Sequence, residues 1–149
     1  MLKIAHRGNL NGPNPNMENH PDYILNAIKQ GYHVEIDLRQ KDGQLYLGHD
    51  EPQYKIDKQF IIELQDYLWI HCKDIESLMY CAVHFGDANY FWHQQDDYTI
   101  TSRGNIWVYP GCRLVDKNTN RYIICVLPEV DATYVKYATG ICTDHINII

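Results

Sequence analysis

The chain has 149 residues, 45% of them hydrophobic, and a formal net charge of −6. That length and apolar content suit a single globular domain spanning residues 1–149 with a core of its own. The negative balance, with Lys and Arg scattered, excludes a general nucleic-acid binder, and the longest apolar stretches, such as Tyr122–Leu127, are far too short for a membrane span.

Leu2–Ala5 reads as a first strand, entered directly without the apolar segment of a secretion signal. A polar loop from Gly8 to Asn19 leads into a helix near Pro21–Gln30, where Tyr23, Ile24, Ala27 and Ile28 form one apolar face. Pro21 fits the first turn of that helix and Gly31 its end. His33–Leu38 is the second strand, and Leu45–Gly48 its hairpin partner across a turn at Asp42-Gly43. A short helix over Phe60–Tyr67, a strand at Leu68–His71, and a helix capped by Asp74 and running through Phe85 follow.

Tyr90–His93 and Ile106–Tyr109 are further strands. Residues 116–121 read as a turn, Tyr122–Leu127 as a strand, Ala132–Ala138 as a short helix and Gly140–Thr143 as the last strand. Strands alternating with helices mark a parallel α/β architecture. A full (β/α)8 barrel needs roughly 200–250 residues, so a barrel here is a reduced one. The segment from Gln95 to Asn120 is too polar and too short for ordinary helical crossovers. Five widely spaced cysteines without a CxxC read as small core residues in a reduced, cytoplasmic protein, not as a disulfide framework or zinc site.

Glu35 and Asp37 stand two residues apart on an apolar strand, so both point to one face. Two carboxylates on a buried face require a cation. Oxygen ligands of this kind suit Mg2+ or Ca2+. The other source of positive charge is a structural salt bridge from Arg7 or from Arg39, which shares their parity. His6-Arg7-Gly8 closes the first strand at the end where parallel α/β folds bind ligands. Its His titrates near neutral pH and its guanidinium suits a phosphate. His49-Asp50 follows the hairpin.

These pieces, taken in order, are His6-Arg7-Gly8, Asn16-Met17-Glu18-Asn19, Glu35-Ile36-Asp37, Lys41-Asp42-Gly43 and His49-Asp50. Together they resemble the glycerophosphodiester phosphodiesterase family, whose pattern runs HRG, PEN(T), E-x-D, (T)KDG and HD on a TIM barrel. The resemblance covers residues 3–50. It implies a reduced TIM-like (β/α) barrel of the PLC-like phosphodiesterase type, with shortened helices in the second half. It also implies that His6 and His49 are the acid and base, that Glu35 and Asp37 are metal ligands, that Arg7 contacts phosphate, and that Glu18 supports the metal site or His6. The substrate would be a small-molecule phosphodiester and the cofactor a divalent ion, Mg2+ or Ca2+ first and Mn2+ next.

Farther along, Leu68–Lys73 aligns with a Glu-x-Lys segment of that family, which retains Lys73 for phosphate but puts His71 where a ligand Glu is expected. An imidazole can coordinate too, and makes Mn2+ or Zn2+ more competitive; the alternative for His71 is a strand-end hydrogen bond. Thr143-Asp144 resembles the end of the family's last strand. His93 and Trp107 can wall the substrate pocket, or be a satisfied His and a core Trp. Two rival functions remain: a non-catalytic barrel binding a phosphorylated small molecule, and a lyase forming a cyclic phosphate. Open strand edges leave room for a homodimer.

Overall fold

The structure, a computed structural model, describes residues 1–112, 122–130 and 137–149. Among them the elements run β1 (Leu2–His6), α1 (Pro21–Lys29), β2 (His33–Lys41), β3 (Gln44–Leu47), β4 (Tyr54–Ile56), α2 (Lys58–Leu64), β5 (Leu68–Cys72), α3 (Ile75–His84), β6 (Asn89–Trp92), β7 (Tyr98–Ile100), β8 (Ile106–Val108), β9 (Ile123–Val126) and β10 (Gly140–Thr143), with a closing 3-10 turn at Ile146–Ile148. The expected turn at 116–121 and most of the helix at 132–138 lie outside the described residues.

Local chemistry explains most of the boundaries. Pro21 opens α1, His20 caps it by accepting from the Asp22 N–H, and Lys29 sits in its last turn. α2 starts before the expected Phe60 because Asp57 caps it, its carboxylate accepting from the Phe60 N–H at 3.1 Å. Asp74 caps α3 as expected. β2 runs on to Lys41, past the expected Leu38, because β3 pairs with its second half around Asp42 and Gly43, both at positive φ.

The strands form one curled sheet. Parallel pairings give the order β6–β5–β2–β1–β10–β9–β8, which follows the chain around the curl. β3 and β4 add antiparallel to β2, and β7 to β8. No ladder joins β6 to β8 among the described residues. Isolated hydrogen bonds cross that gap instead, including the Ser102 N–H to the Tyr90 carbonyl at 2.8 Å and the Tyr90 N–H to Ser102 Oγ at 2.9 Å. The expected barrel is therefore a partial one, and its helices precede residue 85; the described residues beyond α3 contain no α-helix.

Burial on both sheet faces follows from strand alternation. Val34, Ile36, Leu38, Leu68, Ile70 and Cys72 join a large core with Ile24, Ala27 and Ile61 of the helices. The opposite, inner face carries Ile4, Trp69, Phe91, Trp107, Ile124, Val126 and Cys142, drawn from six strands around the curl. Glu35 and Asp37 belong to that inner face. Cys72, Cys81, Cys125 and Cys142 are buried, as small core residues should be. No helix among the described residues is long and apolar enough to cross a membrane.

Candidate functional site

A cavity of about 440 Å³ opens at the C-terminal ends of the parallel strands, lined on one side by His6, Arg7, Glu35, His49, His71 and Lys73. Its other wall is aromatic and apolar, from Trp92, His93, Trp107, Tyr109, Val126 and Leu127. Strand ends are the expected place for such a site, because loops there can vary without disturbing the core. Eight of the ten sequence-derived candidates thus line one cavity, although they span residues 6 to 107; Asp37 lies buried behind it and Glu18 is outside its lining.

Glu35 and Asp37 are buried on β2, and β5 sets His71 directly beside Asp37 in the parallel register. His71 Nδ1 lies 3.7 Å from Glu35 Oε1 and 3.6 Å from Asp37 Oδ1. One donor atom from each of the three residues lies within 4.8 Å of the others. Two neighbours fix Asp37: Asn19 Nδ2 donates to its Oδ2 at 2.8 Å, and Arg7 Nε stands 3.1 Å from the same oxygen. Its Oδ1 is buried without a hydrogen-bond partner among the described residues. A buried bare carboxylate oxygen aimed at an imidazole nitrogen and a second carboxylate is the donor set a cation requires.

The tautomer of His71 fits that role. Its Nε2 lies 2.8 Å from the His93 carbonyl oxygen. A carbonyl only accepts, so Nε2 carries the hydrogen, and in the neutral ring the lone pair sits on Nδ1, facing both carboxylates. Phe91 stacks on the ring at a 5.0 Å centroid separation and fixes its plane. The two carboxylates split in acidity. Burial alone would raise Glu35, but its interaction with His71 and the charges of His6 and Arg7 bring it down to about 2. Asp37 moves up, through burial and then through the charge of Glu35.

His6 Nδ1 bonds Asp144 Oδ1 at 2.8 Å, an oxygen that also accepts from Asn9 Nδ2 at 2.8 Å. The carboxylate accepts, so Nδ1 holds the hydrogen and Nε2 turns inward, 4.0 Å from Glu35 Oε2. Burial pulls the His6 pKa down, yet the hydrogen bond to Asp144 and the Glu35 charge outweigh it and leave it raised. His49 repeats the pattern at the rim: its Nδ1 bonds Asp50 Oδ1 at 2.7 Å. Gly48 makes that turn possible, since a Cβ there would stand 2.0 Å from the Glu51 carbonyl oxygen. Each imidazole therefore offers Nε2 as its working atom.

The salt-bridge alternative is realised at Asp37, by Arg7; among the described residues no arginine side chain pairs with Glu35, whose neighbours are His6 and His71. Arg39 instead donates to the carbonyls of Gly48 and His49 and braces the hairpin turn. Arg7 lines the cavity while Glu18 (3.2 Å) and Asp37 hold its guanidinium. Its backbone is left-handed, at φ 53°, with its N–H donating to Glu35 at both the carbonyl and the carboxylate. Non-glycine residues accept that conformation where surrounding contacts impose it. Glu18 reaches neither the metal-type cluster nor His6 directly; it ties Arg7 to Asn9. Lys73 has no ion-pair partner among the described residues. His93 is satisfied, its Nε2 donating to the Asp96 carbonyl at 2.5 Å, and Trp107 is both a cavity wall and part of the inner core.

Sequence reasoning missed the supporting residues Asn9, Asn19 as the clamp on Asp37, Asp144 as the partner of His6, and Glu129, which accepts from the Asp144 N–H. Asp144 carried a signal, since it directly follows the last parallel strand in the Thr143-Asp144 pair noted above. Comparisons with protein-family models, curated proteins and solved structures found no match for this chain.

Proposed function

We propose that this chain is a metal-dependent phosphodiesterase acting on a glycerophosphodiester or a related small phosphodiester, on a partial barrel that is a reduced TIM-like form. One observation carries the reading: two imidazoles with free Nε2 atoms, two cationic side chains, and Glu35 and His71 of a triad completed by the buried Asp37 line a single cavity. Phosphodiester hydrolysis needs that set. Proton transfer serves the nucleophile and leaving group, and positive charge serves the phosphoryl oxygens.

Glu35, Asp37 and His71 would hold a divalent ion, which supplies Lewis-acid stabilisation of charge on the phosphate. His6, oriented by Asp144, takes or gives a proton at Nε2, and His49 does the same from the more exposed rim. Lys73 offers its ammonium to the phosphate. Arg7 pairs with Asp37, opposing the rise that burial and Glu35 impose on it, and adds positive potential to the cavity floor. The aromatic wall excludes water on the side facing β8 and β9.

The test is turnover of glycerophosphocholine and bis(p-nitrophenyl) phosphate by the chelator-stripped chain, resupplied with Mg2+, Ca2+, Mn2+ or Zn2+. Activity is expected with at least one ion, and His6→Ala or His49→Ala should each reduce it by about 10²–10⁴-fold. Silence with every ion, or full activity in both variants, would overturn the reading. Calorimetric binding of a phosphomonoester without metal or turnover would establish the non-catalytic binder instead. Cyclic phosphate in the phosphorus NMR spectrum of the products would identify a lyase.

A further inference from the structure

We propose that the Glu35–Asp37–His71 cluster selects a borderline transition ion of the Mn2+, Co2+ or Zn2+ class over Mg2+ and Ca2+, with His71 as the residue that decides. The inference rests on the metal-dependent reading above and replaces its expected hard ion with a different class of cofactor.

Charge comes first. Hard ions are held chiefly by net negative charge on oxygen donors. Here Asp37 shares its charge with Arg7, 3.1 Å away, so the cluster offers an ion less negative charge than two unpaired carboxylates would, and His71 stands where a third carboxylate would add more. The imidazole lone pair bonds to a transition ion whatever the net charge, and that contribution follows the order in which Mn2+ lies below Co2+ and Zn2+. Weak charge with a nitrogen donor favours the softer ion.

Donor number points the same way. Ca2+ takes six to eight oxygens. Asp37 can give Oδ1 alone, because Asn19 and Arg7 occupy Oδ2. That Oδ1 belongs to a fully buried residue, has no hydrogen-bond partner among the described residues, and faces His71 Nδ1. The spacings of 3.6 and 3.7 Å from Nδ1 to the two carboxylates are close to the separation of about 3.4 Å between donors that each lie about 2.1 Å from one tetrahedral ion.

His71 is also preorganised. The His93 carbonyl fixes its tautomer and Phe91 fixes its plane, so no rearrangement is needed before Nδ1 can coordinate. A histidine serving only a strand-end hydrogen bond would not need its other nitrogen aimed between two buried carboxylates.

The experiment titrates the chelator-stripped full chain with MnCl2, CoCl2, MgCl2 and CaCl2 by calorimetry, and records pulsed EPR of the Mn2+ form. Mn2+ is expected to bind at least about tenfold more tightly than Mg2+, with a directly bonded imidazole nitrogen in the spectrum. In His71→Glu the nitrogen coupling should vanish and the preference for Mn2+ over Mg2+ should fall by about tenfold or more. His71→Gln, which keeps the charge neutral, covers the case in which His71→Glu fails to fold, and should also lose the coupling. Equal Mn2+ and Mg2+ affinity, or no nitrogen coupling, overturns the proposal and leaves the phosphodiesterase reading standing. Selective Mn2+ binding with nitrogen coupling but no turnover overturns the phosphodiesterase reading alone. Failure to bind any of the four ions, or Zn2+ titrated in the same way, overturns both.

Discussion

The two sides of the curled sheet put the same backbone to different uses. β1, β2 and β5 turn Ala5, Val34, Ile36, Leu38 and Ile70 outward into the core they share with the helices, and turn His6, Glu35, Asp37 and His71 inward. The arc from β6 through β8 to β9 turns Phe91, Trp107, Ile124 and Val126 inward, and β8 and β9 lie beyond the last α-helix of the described residues. Charged groups gather on β1, β2 and β5, and the inner face from β6 through β8 to β9 is aromatic and aliphatic. Buried charges need partners held to within tenths of an ångström, which a strand packed on both faces provides. An apolar wall needs volume and tolerates a looser frame.

The sharpest way to break that contrast is to empty the wall. Phe91 is almost fully buried and touches Trp107 (centroids 4.7 Å apart) and His71. Phe91→Ala should cost about 3–5 kcal/mol of unfolding free energy by urea denaturation, and should weaken metal binding because His71 loses the ring that fixes its plane. A cost below about 1 kcal/mol would mean that the arc yields to fill the cavity and is not a packed wall.

The helix-backed side was also the side the sequence showed best. The inward pair Glu35 and Asp37 was legible because Val34, Ile36 and Leu38 alternate with it at the strand period, and Asp42-Gly43 marked the hairpin that follows. His71 was legible by its place at a strand end. β4 was not: three residues, one of them Lys55, just after Pro52, carry no usable period. β7 is equally short, and pairs only because β8 offers an edge. The supports of the site were hidden for another reason. Asn9 and Asp144 meet across 135 residues of sequence, as single polar residues in loops where neither strand nor helix spacing applies. Arg7 read as a phosphate contact, but its exposure to two carboxylates depends on the left-handed turn at its own Cα, which no composition rule anticipates.

A smaller effect is expected at Asn19, which touches the charged floor without being a candidate ligand. Its Nδ2 donates to Asp37 Oδ2 and its Oδ1 accepts from the Asp37 N–H at 2.9 Å. Asn19→Ala should lower metal affinity by about 10–100-fold, as loss of an outer partner does, with far-UV circular dichroism unchanged. Unchanged affinity in calorimetry would show that Arg7 alone fixes Asp37, and the floor would be less finely held than the contrast supposes.

The smallest effect bears on the seam between the two sides, where Asp144, just past β10, holds His6 of β1. His6 has its folded pKa raised above 6.5, so its share of stability is complete below that value and is lost as pH rises through the raised one. Burial pushes Asp144 up, but the His6 hydrogen bond and charge, with Asn9 and Arg7, together bring it below 3.8, so its share is complete above that value and is lost as pH falls through the lowered one. The difference in unfolding free energy between wild type and Asp144→Asn should therefore peak between pH 3.8 and 6.5, at about 1–3 kcal/mol, and shrink on either side. Urea melts of the metal-free protein across pH 3–9 measure it. A difference that is flat with pH would mean that Asp144 only packs against the ring. A difference that grows above pH 8 would mean that it serves the neutral ring, fixing the tautomer and not the charge. Only the predicted peak makes Asp144, just past β10, a contributor to the charge of the site, with the contrast between the two sides ending there.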